Sequence, residues 1–209
     1  MKCLMKIIEF MGFSKSGKTA SIESLIKYLS KHHKVSAIKH IHIDNFSIDT
    51  EGKNTWRFSK AGADPIVSLS NDETAFITKI HLSLNSILKI IDIITQENEH
   101  IGKLDYLLVE GVWDNSHPKF VMLKKVEEFR DLLMKAKEFP NWEEILSSIL
   151  GVGGALISEY NVAHKIDDLK MEMNNIVKSF ALPPKIQNHL IKIPFVNFLE
   201  KPEQIEKLV

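Results

Sequence analysis

Residues 12–19 read Gly12-Phe13-Ser14-Lys15-Ser16-Gly17-Lys18-Thr19, the spacing G-x-x-x-x-G-K-[ST]. These residue types at this spacing specify phosphate chemistry. The two glycines let the backbone curl so that successive N–H groups converge on one anion. A helix opening directly after the loop adds the positive end of its dipole. Gly12, Ser14, Lys15, Ser16 and Gly17 form the expected cradle, Lys18 reaches the β- and γ-phosphates, and the Thr19 hydroxyl holds Mg²⁺.

Two further segments carry groups suited to the same chemistry. Leu107-Leu108-Val109-Glu110-Gly111 is an apolar run ending in a carboxylate and a glycine. In doubly wound sheets ligands gather at the carboxyl ends of strands, which places Glu110 on the rim that carries the phosphate loop. There it would orient Mg²⁺-bound or attacking water, and Gly111 would admit the γ-phosphate close to the backbone. The other segment runs from Lys39-His40-Ile41-His42 to Asp49-Thr50-Glu51-Gly52-Lys53-Asn54-Thr55-Trp56-Arg57. Asp49 is expected as an outer Mg²⁺ group, Gly52-Lys53 as an anion-binding turn and Thr55 as a helix cap, while Arg57 is the arginine-finger candidate. A solvated loop with a helix cap accounts for the same residues.

The elements that must position these groups follow from periodicity. Met5 to Phe10 reads as a buried strand. Ile22, Leu25, Ile26 and Leu29 recur at i, i+3, i+4 and i+7 on a helix over Thr19–Leu29. Val35–Lys39 is a second strand, and a short helix runs from Thr55 to about Ala61. Ile66–Ser70 and Thr74–Ile77 form strands, paired as a hairpin across Asn71-Asp72. Leu82–Glu97 is a helix with Leu84, Ile87, Leu88 and Ile91 inward. Tyr106–Val109 and Phe120–Leu123 are strands. A charged two-helix excursion on the domain surface, broken at Pro140, occupies about 124–149. Gly151–Ser158 returns to the sheet, and Ile166, Leu169, Met173, Ile176, Val177 and Phe180 mark a helix that Pro183-Pro184 ends. Ile191–Phe198 is a last strand and Pro202–Leu208 a terminal helix. Alternating strand and helix predicts a three-layer α/β/α fold around a mostly parallel sheet, one domain over 1–209.

Composition narrows the function. Lys+Arg and Asp+Glu both number 27, so nothing global points to nucleic acid. The apolar runs are far short of a membrane span, and no charged-then-apolar leader precedes the first strand. The single Cys3 rules out an internal disulfide and suits a reducing cytoplasm. Of the basic residues only Arg57 and Arg130 are arginine, few for a kinase that clamps a phosphoryl group with planar guanidinium forks.

Together, Gly12–Thr19, Ile38-Lys39-His40, Asp49-x-x-Gly52-Lys53-x-Thr55-x-Arg57, Ala61-Gly62-Ala63 and Val109-Glu110-Gly111 resemble the molybdopterin-guanine dinucleotide biosynthesis protein B (MobB) family in order and spacing. The resemblance is dense over residues 5–123 and looser at Ala155-Leu156-Ile157-Ser158 and beyond. It implies a SIMIBI-class P-loop protein that binds GTP with Mg²⁺ and hydrolyses it slowly. Such a protein is a homodimer that assists a separate guanylyltransferase in attaching GMP to molybdopterin. By matching position, Gly12, Ser16, Gly17, Lys18 and Thr19 bind phosphate and Mg²⁺. Lys39, His40, Asp49, Gly52, Lys53, Thr55 and Arg57 form a switch-like segment, with Glu110 and Gly111 as the second acidic motif. The chain departs from the family pattern at Asn54 (usually Asp), Phe58 (often His) and Val112-Trp113 (usually Phe-Lys).

Other readings remain open at this level. His40-x-His42 on one strand face suits a metal-delivering GTPase of the same class, although no Cys-His cluster completes a ligand set. Phe13 stands where ParA/MinD-like ATPases carry a lysine. A nucleotide-dependent adaptor and a small-molecule kinase keep the same loop. No N-K-x-D motif is present, so guanine preference rests on the resemblance.

Overall fold

The computed structural model of the protein describes residues 5–98, 101–159 and 163–209. In chain order its elements are β1 (Lys6–Met11), α1 (Lys18–Leu29), β2 (Val35–Lys39), α2 (Asn54–Lys60), β3 (Ile66–Leu69), β4 (Thr74–Ile77), α3 (Leu84–Glu97), β5 (Tyr106–Glu110), β6 (Lys119–Met122), α4 (Glu127–Ala136), α5 (Trp142–Ser147), β7 (Ile149–Gly153), α6 (Ala155–Glu159), α7 (Ala163–Ser179), α8 (Pro184–Lys192) and α9 (Gln204–Leu208). They fall into two compact units, Met1–His40 with His100–Val209, and Ile41–Glu99.

The larger unit holds a parallel sheet of order β2-β5-β1-β6-β7. Parallel strands covered on both faces read as unbroken apolar runs, and every residue of β5 is buried. On one face Ile22, Leu25 and Leu29 of α1 pack with Ile8, Phe10, Leu108, Phe120 and Phe198. On the other, α4, α5, α7 and α8 contribute Phe129, Ile145, Met173 and Ile186 against Met11, Val121 and Val152. The result is the three-layer α/β/α P-loop fold. From the central β1 the chain leaves first to β2 beyond β5, and later to β6 on the other side. The strand order therefore reverses at β1, and the carboxyl ends at such a switch point are where open α/β sheets place their ligands.

One pair breaks the apolar rule in the sheet. Glu9 of β1 and Lys119 of β6 are register partners, and both are fully buried. Lys119 Nζ lies 3.1 Å from Glu9 Oε2 and donates to the Asn115 carbonyl, while His117 Nδ1 lies 3.1 Å from Glu9 Oε1. Burial pulls the lysine below its ordinary pKa, and the Glu9 carboxylate opposes that fall.

In the smaller unit β3 and β4 form an antiparallel hairpin. Helix α3 starts at Leu84 because the Ser83 side chain accepts the Ser86 N–H at the cap. Leu84, Ile87, Leu88 and Ile91 are half-buried there, while Ile90, Ile93 and Ile94 are exposed.

The structure corrects three expectations. The two helices over 127–147 are not a surface excursion, because Phe129, Leu132, Leu133, Ile145 and Leu146 are fully buried in the core. The return to the sheet is β7, and Ala155 onward is helical rather than extended. The residues 191–198 do not form a strand. Ile186 and Leu190, one turn apart, bury one face of α8, which Pro184 opens at a position where a missing N–H costs nothing. What remains of the expected strand is a single parallel bridge of Phe195 to Val152. Gly151 and Gly153 admit it, since a Cβ there would meet the Pro194 and Val196 carbonyls at 3.0 and 2.9 Å.

Glu9→Gln leaves the Lys119 ammonium buried without its counter-charge and should destabilise the fold by about 3–5 kcal/mol in urea titration. An unchanged midpoint would show that the Asn115 oxygens hold the Lys119 ammonium without the Glu9 charge.

Candidate nucleotide site

The phosphate loop joins β1 to α1. Lys15 and Gly17 both take positive φ, 63° and 90°, and so turn the backbone around one centre. Gly17 is also the N-cap of α1, whose first residue is Lys18. The loop is wedged between neighbours. A Cβ on Gly12 would lie 2.2 Å from the Met122 carbonyl at the end of β6. Ser16 is fully buried, and its carbonyl accepts the Ala155 N–H at 3.0 Å.

Lys18 folds back over this loop. Its ammonium donates to the carbonyls of Gly12 (3.0 Å) and Phe13 (2.6 Å) and approaches Ser16 Oγ at 3.5 Å. Burial holds it below the ordinary lysine pKa; Glu110 opposes the shift and Lys39 adds to it. A phosphate at the loop would supply the negative charge that favours the protonated form.

Glu110 closes the site from the adjacent strand. The Thr19 hydroxyl donates to its carboxylate, with distances of 3.0 Å to Oε2 and 3.2 Å to Oε1. Lys39, its register partner on β2, donates to Oε1 at 2.7 Å. His40 N–H donates to the Glu110 carbonyl at 2.8 Å, and Gly111 N–H to the Phe10 carbonyl at 3.1 Å. Gly111 has φ 89°, a turn that favours glycine at this strand end. Thus Gly12, Ser16, Gly17, Lys18, Thr19, Lys39, His40, Glu110 and Gly111 meet at one rim, with Ser14 and Lys15 exposed on the loop.

The other predicted residues belong to the smaller unit. Asp49 Oδ1 accepts the Thr55 hydroxyl at 2.7 Å, so Thr55 ties this acid rather than capping α2, whose N-cap is Lys53. Gly52 has φ 84°, and Gly52, Lys53 and Arg57 are exposed.

Two contributors escaped the sequence reading. Gly154, at φ 100°, lets the chain after β7 press on the loop; a Cβ there would stand 2.3 Å from the Ser16 carbonyl and 2.7 Å from that of Leu123. Gly151-Val152-Gly153-Gly154-Ala155, directly after apolar Ile149-Leu150, was the available signal. Glu128 is buried, accepts the Lys124 N–H at 2.7 Å, and its charge acts on Lys18. On a charged helix nothing in its spacing distinguished it.

A phosphate cradle, a hydroxyl and a carboxylate at one strand end suit a nucleoside triphosphate with a hard divalent cation. Comparison with known proteins narrows this. The model for molybdopterin guanine dinucleotide synthesis protein B matches residues 7–145. The molybdopterin-guanine dinucleotide biosynthesis adapter protein of Haemophilus influenzae is 31% identical over 117 residues, 56% of this chain and 62% of that protein. The putative adapter protein of Methanocaldococcus jannaschii is 32% identical over 124 residues, 57% of this chain and 48% of its own length. The matches therefore span less than two thirds of either relative. In fold, the chain resembles Bacillus subtilis MobB with a TM-score of 0.54 at 22% identity, covering 71% of this chain and 79% of that one. With its phosphate loop, its acidic strand end and most of its sheet inside the matched span, the chain belongs to the molybdopterin guanine dinucleotide synthesis protein B family.

Proposed function

We propose that this protein binds GTP with Mg²⁺ at the phosphate loop, hydrolyses it slowly, and serves as an adapter in molybdopterin guanine dinucleotide biosynthesis. In that role it supports a guanylyltransferase that joins GMP to molybdopterin. The observation that carries the nucleotide part is the meeting of Lys18, Thr19 and Glu110 at the carboxyl ends of β1 and β5. Family membership supports the adapter part and the choice of guanine.

The donor set fits the cation. A hydroxyl and a carboxylate within hydrogen-bond reach of one another are hard oxygen ligands, which Mg²⁺ prefers. Thr19 would hold it directly and Glu110 through its water shell; the ion, when bound, offsets charge on the β- and γ-phosphates. Lys18 would exchange the Gly12 and Phe13 carbonyls for phosphate oxygens. Lys39 neutralises Glu110 by an ion pair that a divalent cation would compete with. Arg57, exposed on α2, is the cation we assign to transition-state charge during hydrolysis. Slow turnover suits a protein that reports nucleotide state rather than consuming it.

We further propose a homodimer. Val67, Leu69 and Phe76 project from one face of the β3–β4 hairpin and are 50%, 79% and 66% exposed. A two-stranded sheet with an uncovered apolar face is marginal alone, and a second copy would cover it.

Calorimetric titration with GTP, ATP and GMP, each with and without Mg²⁺, tests the reading, with Mg²⁺-dependent preference for GTP expected. Lys18→Ala should lose a charge-assisted contact of about 1.5–3 kcal/mol and weaken GTP binding roughly 10- to 150-fold; undiminished affinity would remove the site assignment. Gly154→Ala sets a methyl against two backbone oxygens at a positive φ. It should cost more than about 1 kcal/mol in thermal unfolding and loosen GTP binding with it. Lys39→Met removes the ammonium that competes for Glu110. The Mg²⁺ concentration giving half-maximal GTP binding should then fall, by up to about fivefold for so exposed a pair. A rise instead would assign Lys39 to the phosphates.

A further inference from the structure

The smaller unit carries a polar cavity of about 540 Å³ lined in part by Ser47, Asp49, Glu51, Trp56, Lys60 and Lys79. None of these groups belongs to the phosphate loop. We propose that this cavity is a second ligand site, for a phosphorylated, planar amino-oxo-pyrimidine ring system of the pterin type. The proposal rests on the molybdopterin reading above for its choice of ring.

Three features converge on that chemistry. Asp49 is held by the Thr55 hydroxyl at Oδ1, while Oδ2 is buried without a hydrogen-bond partner among the described residues. A carboxylate fixed at one oxygen and unsatisfied at the other is suited to adjacent N–H donors, which the 2-amino-4-oxo edge of a pterin presents. Trp56 is half-buried, and the Lys60 ammonium lies 5.3 Å from its ring centroid, so the indole face receives a cation and can receive a flat heterocycle. Lys79 Nζ donates to Ser47 Oγ at 3.3 Å, which places a second ammonium in the wall. Both lysines are exposed on long flexible stems, able to draw aside from the ring and close on a phosphate. The cavity has the volume of an ordinary small-molecule site.

The amino-oxo edge and phosphate are shared by guanine nucleotides, and the larger bicyclic pteridine is the ring we assign. The test uses neopterin monophosphate, neopterin and GMP, titrated by calorimetry and pterin fluorescence into the full chain and its variants. Neopterin monophosphate should bind the wild type and the Lys18→Ala variant equally. Trp56→Leu and Asp49→Asn should each weaken it about tenfold or more. Removing the phosphate from the ligand should weaken binding to the wild type, and the double variant Lys60→Met/Lys79→Met should erase that difference. Loss of binding in Lys18→Ala would place the ligand in the phosphate loop and overturn the proposal. GMP binding to Lys18→Ala as tightly as the pterin would overturn the choice of ring. Absence of pterin binding in a sample that still binds GTP with Mg²⁺ would overturn the cavity assignment and leave the nucleotide reading standing.

Discussion

The rim of the larger unit depends on how one charge is held. Glu110 ends a strand whose residues are all buried, so its carboxylate leaves water and needs partners. Parallel register supplies them. Lys39 stands opposite Glu110 on β2, and Phe10 stands opposite it on β1, one residue before the end of the strand whose loop leads to Thr19 on α1. Shift either pairing by one residue and the side chain that meets the carboxylate turns to the other face. The hydrogen bonds of Thr19 and Lys39 to Glu110 thus tie the start of α1 and the ends of β2 and β5 into one electrostatic unit.

Steric constraint completes what charge begins. The loop has no room for a Cβ at Gly12 against β6 or at Gly154 against Ser16. Its conformation is therefore set by close backbone contact as well as by its own glycines. This explains why residues distant in sequence matter at the site. The ends of β6 and β7 act as a backstop, so a loop that would otherwise be a mobile connection is held in one shape.

Much of this was legible in the chain, for physical reasons that differ between regions. Strand β5 was readable because burial on both faces demands an unbroken apolar run, β1 because its run is broken only by Glu9, and the loop because its spacing states its chemistry. The place of Glu110 on the rim of the phosphate loop followed from the rule that ligands gather at carboxyl ends of strands, whereas its contact with Lys39 needed the strand order β2-β5-β1, which local pattern does not encode. Residues 191–198 were misread as a strand because Ile191, Ile193 and Phe195 alternate in so short a run. Ile191 and Lys192 instead finish the helix that Pro184 opens, and only Phe195 reaches the sheet, as a bridge to Val152. Gly154 was signalled only by the glycines around it, because its role comes from where the Ser16 and Leu123 backbones pass, and Glu128 was silent because its charge acts across the fold on Lys18. The Asp49–Thr55 bond has a similar origin, since a cap and a carboxylate partner draw on the same hydroxyl.

The two units divide the chemistry. The larger one has a deep core, buried charges paired across strands and a loop held by close backbone contacts. The smaller one has a single fully buried large hydrophobic residue among those described, Ile66, with apolar side chains turned outward and an open polar cavity. A fold of the first kind holds geometry; a surface of the second kind takes partners. Chain connectivity joins them at a telling place. β2 ends at Lys39, which pairs with Glu110, His40 N–H binds the Glu110 carbonyl, and the next residue, Ile41, begins the smaller unit. The contacts of Glu110 therefore reach to the last residue before the chain enters the smaller unit. The Lys39–Glu110 ion pair at 2.7 Å and the His40 N–H bond together fix the exit of the chain from β2, because a charge-assisted contact and a backbone hydrogen bond hold the same residue of β5.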